Sequence, residues 1–250
     1  MPLWTYRGLK AGVKTTPWPL DEVVGVSGLP EPITDACPDG CEQCVTSCPT
    51  SAITHDGALT LDQGACVGCN LCVEVCPSGV LKLSSRPTQA AAGRDTLIRR
   101  FGVEEASPTK LRPEGDARRM RKSLFVRHVD AGSCNGCESE IGALDNPYYN
   151  LHRFGIFFTP SPRFADVLLV TGPVTNPMHE PLKATYEAMP RPNFVVATGV
   201  CAISGGTNGG GYSARQGIGD VLPVDLWVPG CPPHPVVLIE ALLALIGRER

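Results

Sequence analysis

Apolar residues in the second half of the chain fall in short unbroken runs. Leu124 to Val129, Asp166-Val167-Leu168-Leu169-Val170 and Phe194-Val195-Val196-Ala197-Thr198 read as strands buried on both faces, each followed by a glycine. Pro181 to Met189 has helical composition, and Pro235 to Arg248 is apolar on nearly all sides, as a mostly buried helix is. Strands alternating with helices predict an α/β body on a doubly wound parallel sheet, with ligands at the carboxyl ends of the strands. The first half has another rhythm. Ala52 to Leu61 alternates around Asp56-Gly57, a dipeptide that favours a tight hairpin. The sequence on either side repeats: Cys41, Cys44 and Cys48 recur 28 residues later as Cys69, Cys72 and Cys76, and Cys37 recurs 29 later as Cys66. Both copies run on into Cys-Pro, a small polar residue and an apolar pair, which predicts a small head of two pseudo-symmetric halves.

Charge separates these parts. Thr15 to Leu81 carries nine acidic residues and no Lys or Arg, whereas Lys82 to Arg127 carries twelve basic residues against five acidic ones. The second stretch, with Ser84-Ser85-Arg86-Pro87 and Gln89-Ala90-Ala91-Ala92-Gly93, reads as a solvated basic linker; a basic strip docking on an acidic partner surface is the other reading. Nucleic acid is not expected as a partner, because no aromatic residue is interleaved with the arginines between Arg112 and Lys122. The 250 residues are 42% hydrophobic with a net charge of −3, too apolar for disorder. No run reaches the ~18 apolar residues of a membrane span, and Val236 to Ile246 carries Glu240. Lys10 and Lys14 stand where a secretory signal would be apolar, so a cytoplasmic location is expected. In a reducing compartment twelve cysteines point to metal or redox chemistry rather than to disulfides.

Eight of the twelve form the repeat. It reads C-x3-C-x2-C-x3-C-P and then C-x2-C-x2-C-x3-C-P, the second copy being the bacterial two-cluster iron-sulfur run. Three thiolates on one tight loop cap three irons of a cube, and the fourth comes from elsewhere. In that run the cysteine before the proline ligates the other cluster. The expected 4Fe-4S sets are therefore Cys37, Cys41, Cys44 with Cys76, and Cys66, Cys69, Cys72 with Cys48. Zinc is the alternative, since C-x2-C pairs also build zinc-binding interaction modules, but zinc gives no reason for four-cysteine runs ending in Cys-Pro. The other four, Cys134, Cys137, Cys201 and Cys231, all follow predicted strands, so one sheet edge can gather them. By spacing alone they fit either a further cluster or a C-x2-C redox pair with two buried bystanders. Glu138 and Glu140 follow at a predicted helix start, where carboxylates suit the helix dipole; proton transfer is their other reading. The five histidines show no ligand spacing.

At these residues a resemblance becomes specific. Gly132-Ser133-Cys134-Asn135-Gly136-Cys137-Glu138, Ala165 to Thr175, Ala197 to Gly206 and Pro223 to Pro233 look like the small subunit of membrane-associated, energy-converting nickel-iron hydrogenases. That family includes the formate hydrogenlyase type and is homologous to the cluster-bearing B subunit of respiratory complex I. The resemblance covers Lys122 to Gly247 and implies that Cys134, Cys137, Cys201 and Cys231 hold one 4Fe-4S cluster, nearest the catalytic centre of a separate large subunit. Complex I usually has adjacent cysteines at the first motif, so Cys134-Asn135-Gly136-Cys137 favours the hydrogenase branch. The head resembles the two-cluster ferredoxin-type subunit of the same complexes, with Thr15-Thr16-Pro17-Trp18-Pro19 similar to the segment before its first cluster loop.

The expected organisation is an N-terminal α+β two-cluster ferredoxin domain at 1–83, a basic linker at 84–121, and the α/β body at 122–250. The resemblance implies three 4Fe-4S clusters and no catalytic residue on this chain. It also implies a nickel-iron large subunit, membrane subunits holding the chain peripherally at the inner face of the membrane, and a soluble donor such as a formate dehydrogenase or a ferredoxin. A complex I-like quinone or ferredoxin oxidoreductase without hydrogenase activity is the neighbouring reading.

Overall fold

A computed structural model describes residues 2–12, 18, 28–33, 37, 40–84, 89–101, 120 and 122–248. An exposed helix α1 (Leu3–Ala11) comes first, and the head then holds β1 (Pro30–Pro32), α2 (Gln43–Thr46), β2 (Ile53–His55), β3 (Leu59–Asp62), α3 (Leu71–Glu74), β4 (Leu81–Leu83) and β5 (Ile98–Arg100). β2 and β3 pair antiparallel across the expected turn, in which Gly57 adopts φ +70°. The internal repeat is visible as the one-turn helices α2 and α3, each carrying the third cysteine of its loop, and as the antiparallel pair β1 and β4. Ile53, Leu59, Leu61 and Leu81 close a small core around Cys44 and Cys72.

The body follows as β6 (Leu124–Asp130), α4 (Gly136–Ala143), β7 (Ile156–Phe158), β8 (Val167–Thr171), α5 (Asn176–Glu187), β9 (Phe194–Thr198), α6 (Val200–Ser204), β10 (Leu226–Val228) and α7 (Pro235–Leu245). Its five strands are all parallel in the order β10-β9-β8-β6-β7. Successive side chains of β8 point to opposite faces, and both faces are dry. Val167 and Leu169 pack with α4 and α7, while Leu168 and Val170 pack with Leu182 of α5 and Ala202 and Ile203 of α6. This is why the strand is an uninterrupted apolar run: each Leu or Val withdrawn from water contributes roughly 1.5–3 kcal/mol. The expected strands and the apolar helix lie where the pattern puts them. α5 starts earlier than Pro181, which sits inside it, because Pro177 in the first turn marks the true start.

The expectation of a solvated linker over 84–121 does not hold for 89–101. Ala91 exchanges both backbone hydrogen bonds with Trp227 on edge strand β10, at 2.9 and 2.8 Å. Leu97, in a 3-10 turn at Arg94–Leu97, is 1% exposed and packs into the body core. β5 then pairs with β3 as the third strand of the head sheet. Arg94 pairs with Asp62 at 2.5 Å and Arg99 with Glu31 at 3.5 Å, so two of the basic residues answer the acidity of the head itself. The arginines from Arg112 to Arg119 and the motif around Trp18 lie, Trp18 itself excepted, outside the described residues.

Candidate metal centres

The head brings together thiols from both halves of its repeat. Cys37 is pushed up by burial and then by the neighbouring Cys41 and Cys76; Cys44 is pushed up by burial and then by Cys37 and Cys41. Cys76, from the second half of the repeat, thus acts on Cys37 from the first. Cys72 is raised to about 11, first by burial and then by Cys66, Cys69 and Cys48. Those four thiols line one cavity, walled by Ile53 and Leu61.

Cys48 and Cys76, the cysteines before proline, behave differently from the loop thiols. Burial raises Cys48, but hydrogen bonds from Thr50 and Ala52 outweigh it, with Ala52 N–H donating to Sγ at 3.2 Å. Cys76 is raised by burial too, but its bonds to Leu81 and Ser78 leave it lowered on balance. The repeat carries this detail twice: the Thr50 hydroxyl lies 3.8 Å from Cys48 Sγ and the Ser78 hydroxyl 3.7 Å from Cys76 Sγ. The small polar residue two positions after each Cys-Pro cysteine is thus a sulfur partner.

In the body the fold gathers the dispersed thiols. Cys134 lies in the loop after β6, Cys137 in the first turn of α4, Cys201 in α6 after β9, and Cys231 three residues beyond β10. All four sit at the carboxyl edge of the sheet. Burial pushes the Cys137 thiol strongly upward, followed by the charges of Glu138, Cys201, Cys231 and Cys134. Gly199, at φ +83°, lets β9 turn into α6 beneath this group. A Cβ there would stand 2.6 Å from Cys137 Sγ and 3.5 Å from the Gly230 carbonyl.

These donor sets suit iron-sulfur cubes. Four thiols per set, partly shielded from water and met by backbone N–H groups, are the donors such clusters use. Among the described residues no three His, Cys, Asp or Glu side chains converge as they do on a single ion.

The family described as NADH ubiquinone oxidoreductase, 20 Kd subunit, matches residues 134–245, and a 4Fe-4S dicluster domain matches residues 36–80. The probable membrane-bound hydrogenase subunit mbhJ of Pyrococcus furiosus is 43% identical over 127 residues, covering 51% of this chain and 76% of its own. The chain belongs to the 20 kDa-subunit family. Formate hydrogenlyase subunit 7 of Escherichia coli is 39% identical over 52% of this chain and 51% of that one. The B-type subunit of the NADH-quinone oxidoreductase of Geotalea daltonii is 46% identical over 46% and 68%. The chain therefore joins a 4Fe-4S dicluster head to a body of the 20 kDa-subunit family, and its relatives are subunits of oxidoreductase complexes.

Beside the thiols of this 20 kDa-family body lies a polar network that spacing did not reveal. Glu138, in the first turn of α4, accepts hydrogen bonds from Ser133 Oγ at 2.6 Å and from Thr171 Oγ1. His128 Nε2 stands 3.0 Å from Thr171 Oγ1 and 3.5 Å from Glu138. Burial lowers the His128 pKa, although Glu138 and Asp130 pull it up. Asp130 Oδ1 accepts the N–H groups of Gly132 and Ser133, which fixes the loop carrying Cys134. Glu140 lies two residues further along α4, where its charge acts on Tyr149 and His234. The two carboxylates thus serve different surroundings. Thr171 was the available signal, a polar residue closing an otherwise apolar buried strand.

Proposed function

We propose that the chain is the iron-sulfur electron-transfer subunit of a membrane-associated nickel-iron hydrogenase complex, with three 4Fe-4S clusters. The head holds two, on Cys37, Cys41, Cys44 and Cys76 and on Cys48, Cys66, Cys69 and Cys72; the body holds one on Cys134, Cys137, Cys201 and Cys231. When bound, such clusters supply one-electron exchange without proton or group transfer. What supports this reading above all is the continuity of the thiol groups. Cys44 and Cys72, one from each head set, lie in one buried core, and Gly64, two residues before Cys66, lies against Ile203, two residues after Cys201. The chain's own part is to shield the thiols, donate N–H groups to Cys48 and Cys76, and hold the sets in that order. The body set, furthest along, would face the catalytic large subunit, with Glu138 and the Thr171 hydroxyl offering a proton path beside it. Among the described residues no helix is long and apolar enough to cross a membrane, so attachment would run through partner subunits.

The test is metal analysis of the purified chain. About twelve irons with acid-labile sulfide are expected, whereas about four zincs without sulfide would overturn the reading. The second reading, a complex I-like oxidoreductase without hydrogenase activity, is favoured by the 46% identity to the NADH-quinone oxidoreductase relative. The partner large subunit separates the two: two C-x2-C pairs that bind nickel belong to the hydrogenase, and their absence would defeat it.

A further inference from the structure

Head and body also meet at a small turn. Asp62, the last residue of β3, accepts the Gly64 N–H at 2.9 Å through Oδ1 and the Cys66 N–H at 3.0 Å through its carbonyl. The same carboxylate takes both arms of the Arg94 guanidinium, at 2.8 and 2.5 Å, with the two side chains about a quarter exposed. A bidentate pair of this kind fixes orientation as well as distance. Arg94 reaches across from the strap whose Ala91 is bonded to Trp227 on β10, four residues before Cys231. The third side of the junction is Gly64. A Cβ built there would stand 2.7 Å from Ile203 Cγ2, two residues after Cys201, and 3.0 Å from the Arg94 guanidinium. The turn that leads to Cys66 thus touches the helix that carries Cys201, and through Arg94 it is tied to the strap bonded to the strand that leads to Cys231.

We propose that Arg94 is a positioning residue for electron transfer between head and body: clamped on Asp62 against Gly64 and Ile203, it sets the gap between the Cys66 thiol group and the Cys231 thiol group. The proposal rests on the electron-transfer reading above. The head's own fold has other supports, since β5 pairs with β3 and Leu97 accepts the Gln63 N–H at 3.0 Å whatever stands at position 94. Arg94 adds the sideways restraint that those bonds lack.

The test uses the full chain with its clusters assembled, followed by electron paramagnetic resonance. In partly reduced samples each cluster gives its own signal. On full reduction the body signal should be split and relaxed by its nearest head neighbour, an interaction that falls with the cube of the separation. Arg94→Ala should lose that splitting while keeping its iron, sulfide and individual signals, and Arg94→Lys should recover part of it. Gly64→Ala should lose it too with Arg94 in place, by wedging the turn off Ile203. Unchanged splitting in both Arg94→Ala and Gly64→Ala overturns the proposal. Loss of head iron in Arg94→Ala also overturns it, because Arg94 would then belong to the head's own fold. Fewer than three signals in the parent chain would instead overturn the electron-transfer reading on which it stands.

Discussion

The two hydroxyls beside Cys48 and Cys76 show how much a single side chain can tune here. A hydrogen bond to a cluster thiolate stabilises the more negative, reduced state, so removing it should lower the potential. With a net bond of about 1 kcal/mol, a one-electron couple shifts by ~40 mV. Thr50→Val is therefore expected to move one head cluster by up to that amount toward negative potential in a redox titration, with iron content unchanged. Gly199→Ala should be harsher, since its Cβ would intrude on Cys137 Sγ at 2.6 Å and its φ of +83° disfavours any side chain. The expected result is loss of about four of twelve irons, all from the body set. At this scale local spacing marks the eight cysteines of the head, whereas Cys134, Cys137, Cys201 and Cys231 are drawn to one edge only by the order of the strands that precede them. The Ser133, Thr171 and His128 contacts to Glu138 were not legible, because residues from β6, its following loop, β8 and α4 meet only after the sheet has formed.

Elements were legible in proportion to their burial and length. β6, β8 and β9 announced themselves as apolar runs, whereas β1, β4, β5 and β7 have three residues each, too few to show a period. β5 was hidden further by Ile98-Arg99-Arg100, which reads as part of a basic linker until β3 is placed beside it. The sheet also carries a device that no pattern revealed. Asp166 and Asp225, each just ahead of its strand, accept the N–H of Phe125 at 2.8 Å and of Val195 at 2.7 Å on the adjacent strand. Burial pushes Asp225 above the ordinary carboxylate range, against the pull of that N–H. With the folded pKa above the unfolded one, its contribution is full below the unfolded value and declines as pH rises through the interval between them. Relative to the parent, Asp225→Asn should be at its greatest disadvantage in acid, and thermal unfolding across that interval should show the gap narrowing. The helices at the carboxyl edge allow another expectation. Cys201→Ser should abolish the body's resonance signal and leave the head's two, because α6 lies outside the head core; loss of all three would mean that the parts cannot assemble separately.

Over the whole molecule, head and body are joined by burial as well as by chain. Leu97 comes from the segment that binds the head sheet, yet its side chain is sealed in the body core with Leu168 and Val170. Leu97→Ala should cost about 2–5 kcal/mol, as truncations of buried leucines do, and should lower the unfolding temperature of both parts together. The acidic head and the basic stretch after it, separate blocks in the sequence, are in part each other's counterions through Asp62 with Arg94 and Glu31 with Arg99. The pairing of Ala91 with Trp227 has a consequence of another kind. β10 ends the parallel sheet, and an uncovered edge of that sort is a template for pairing with a second chain. The strap occupies it. A body expressed from Lys122 onward would present the bare edge and is expected to self-associate, whereas one beginning at Gln89 would keep its guard and stay dispersed in light scattering.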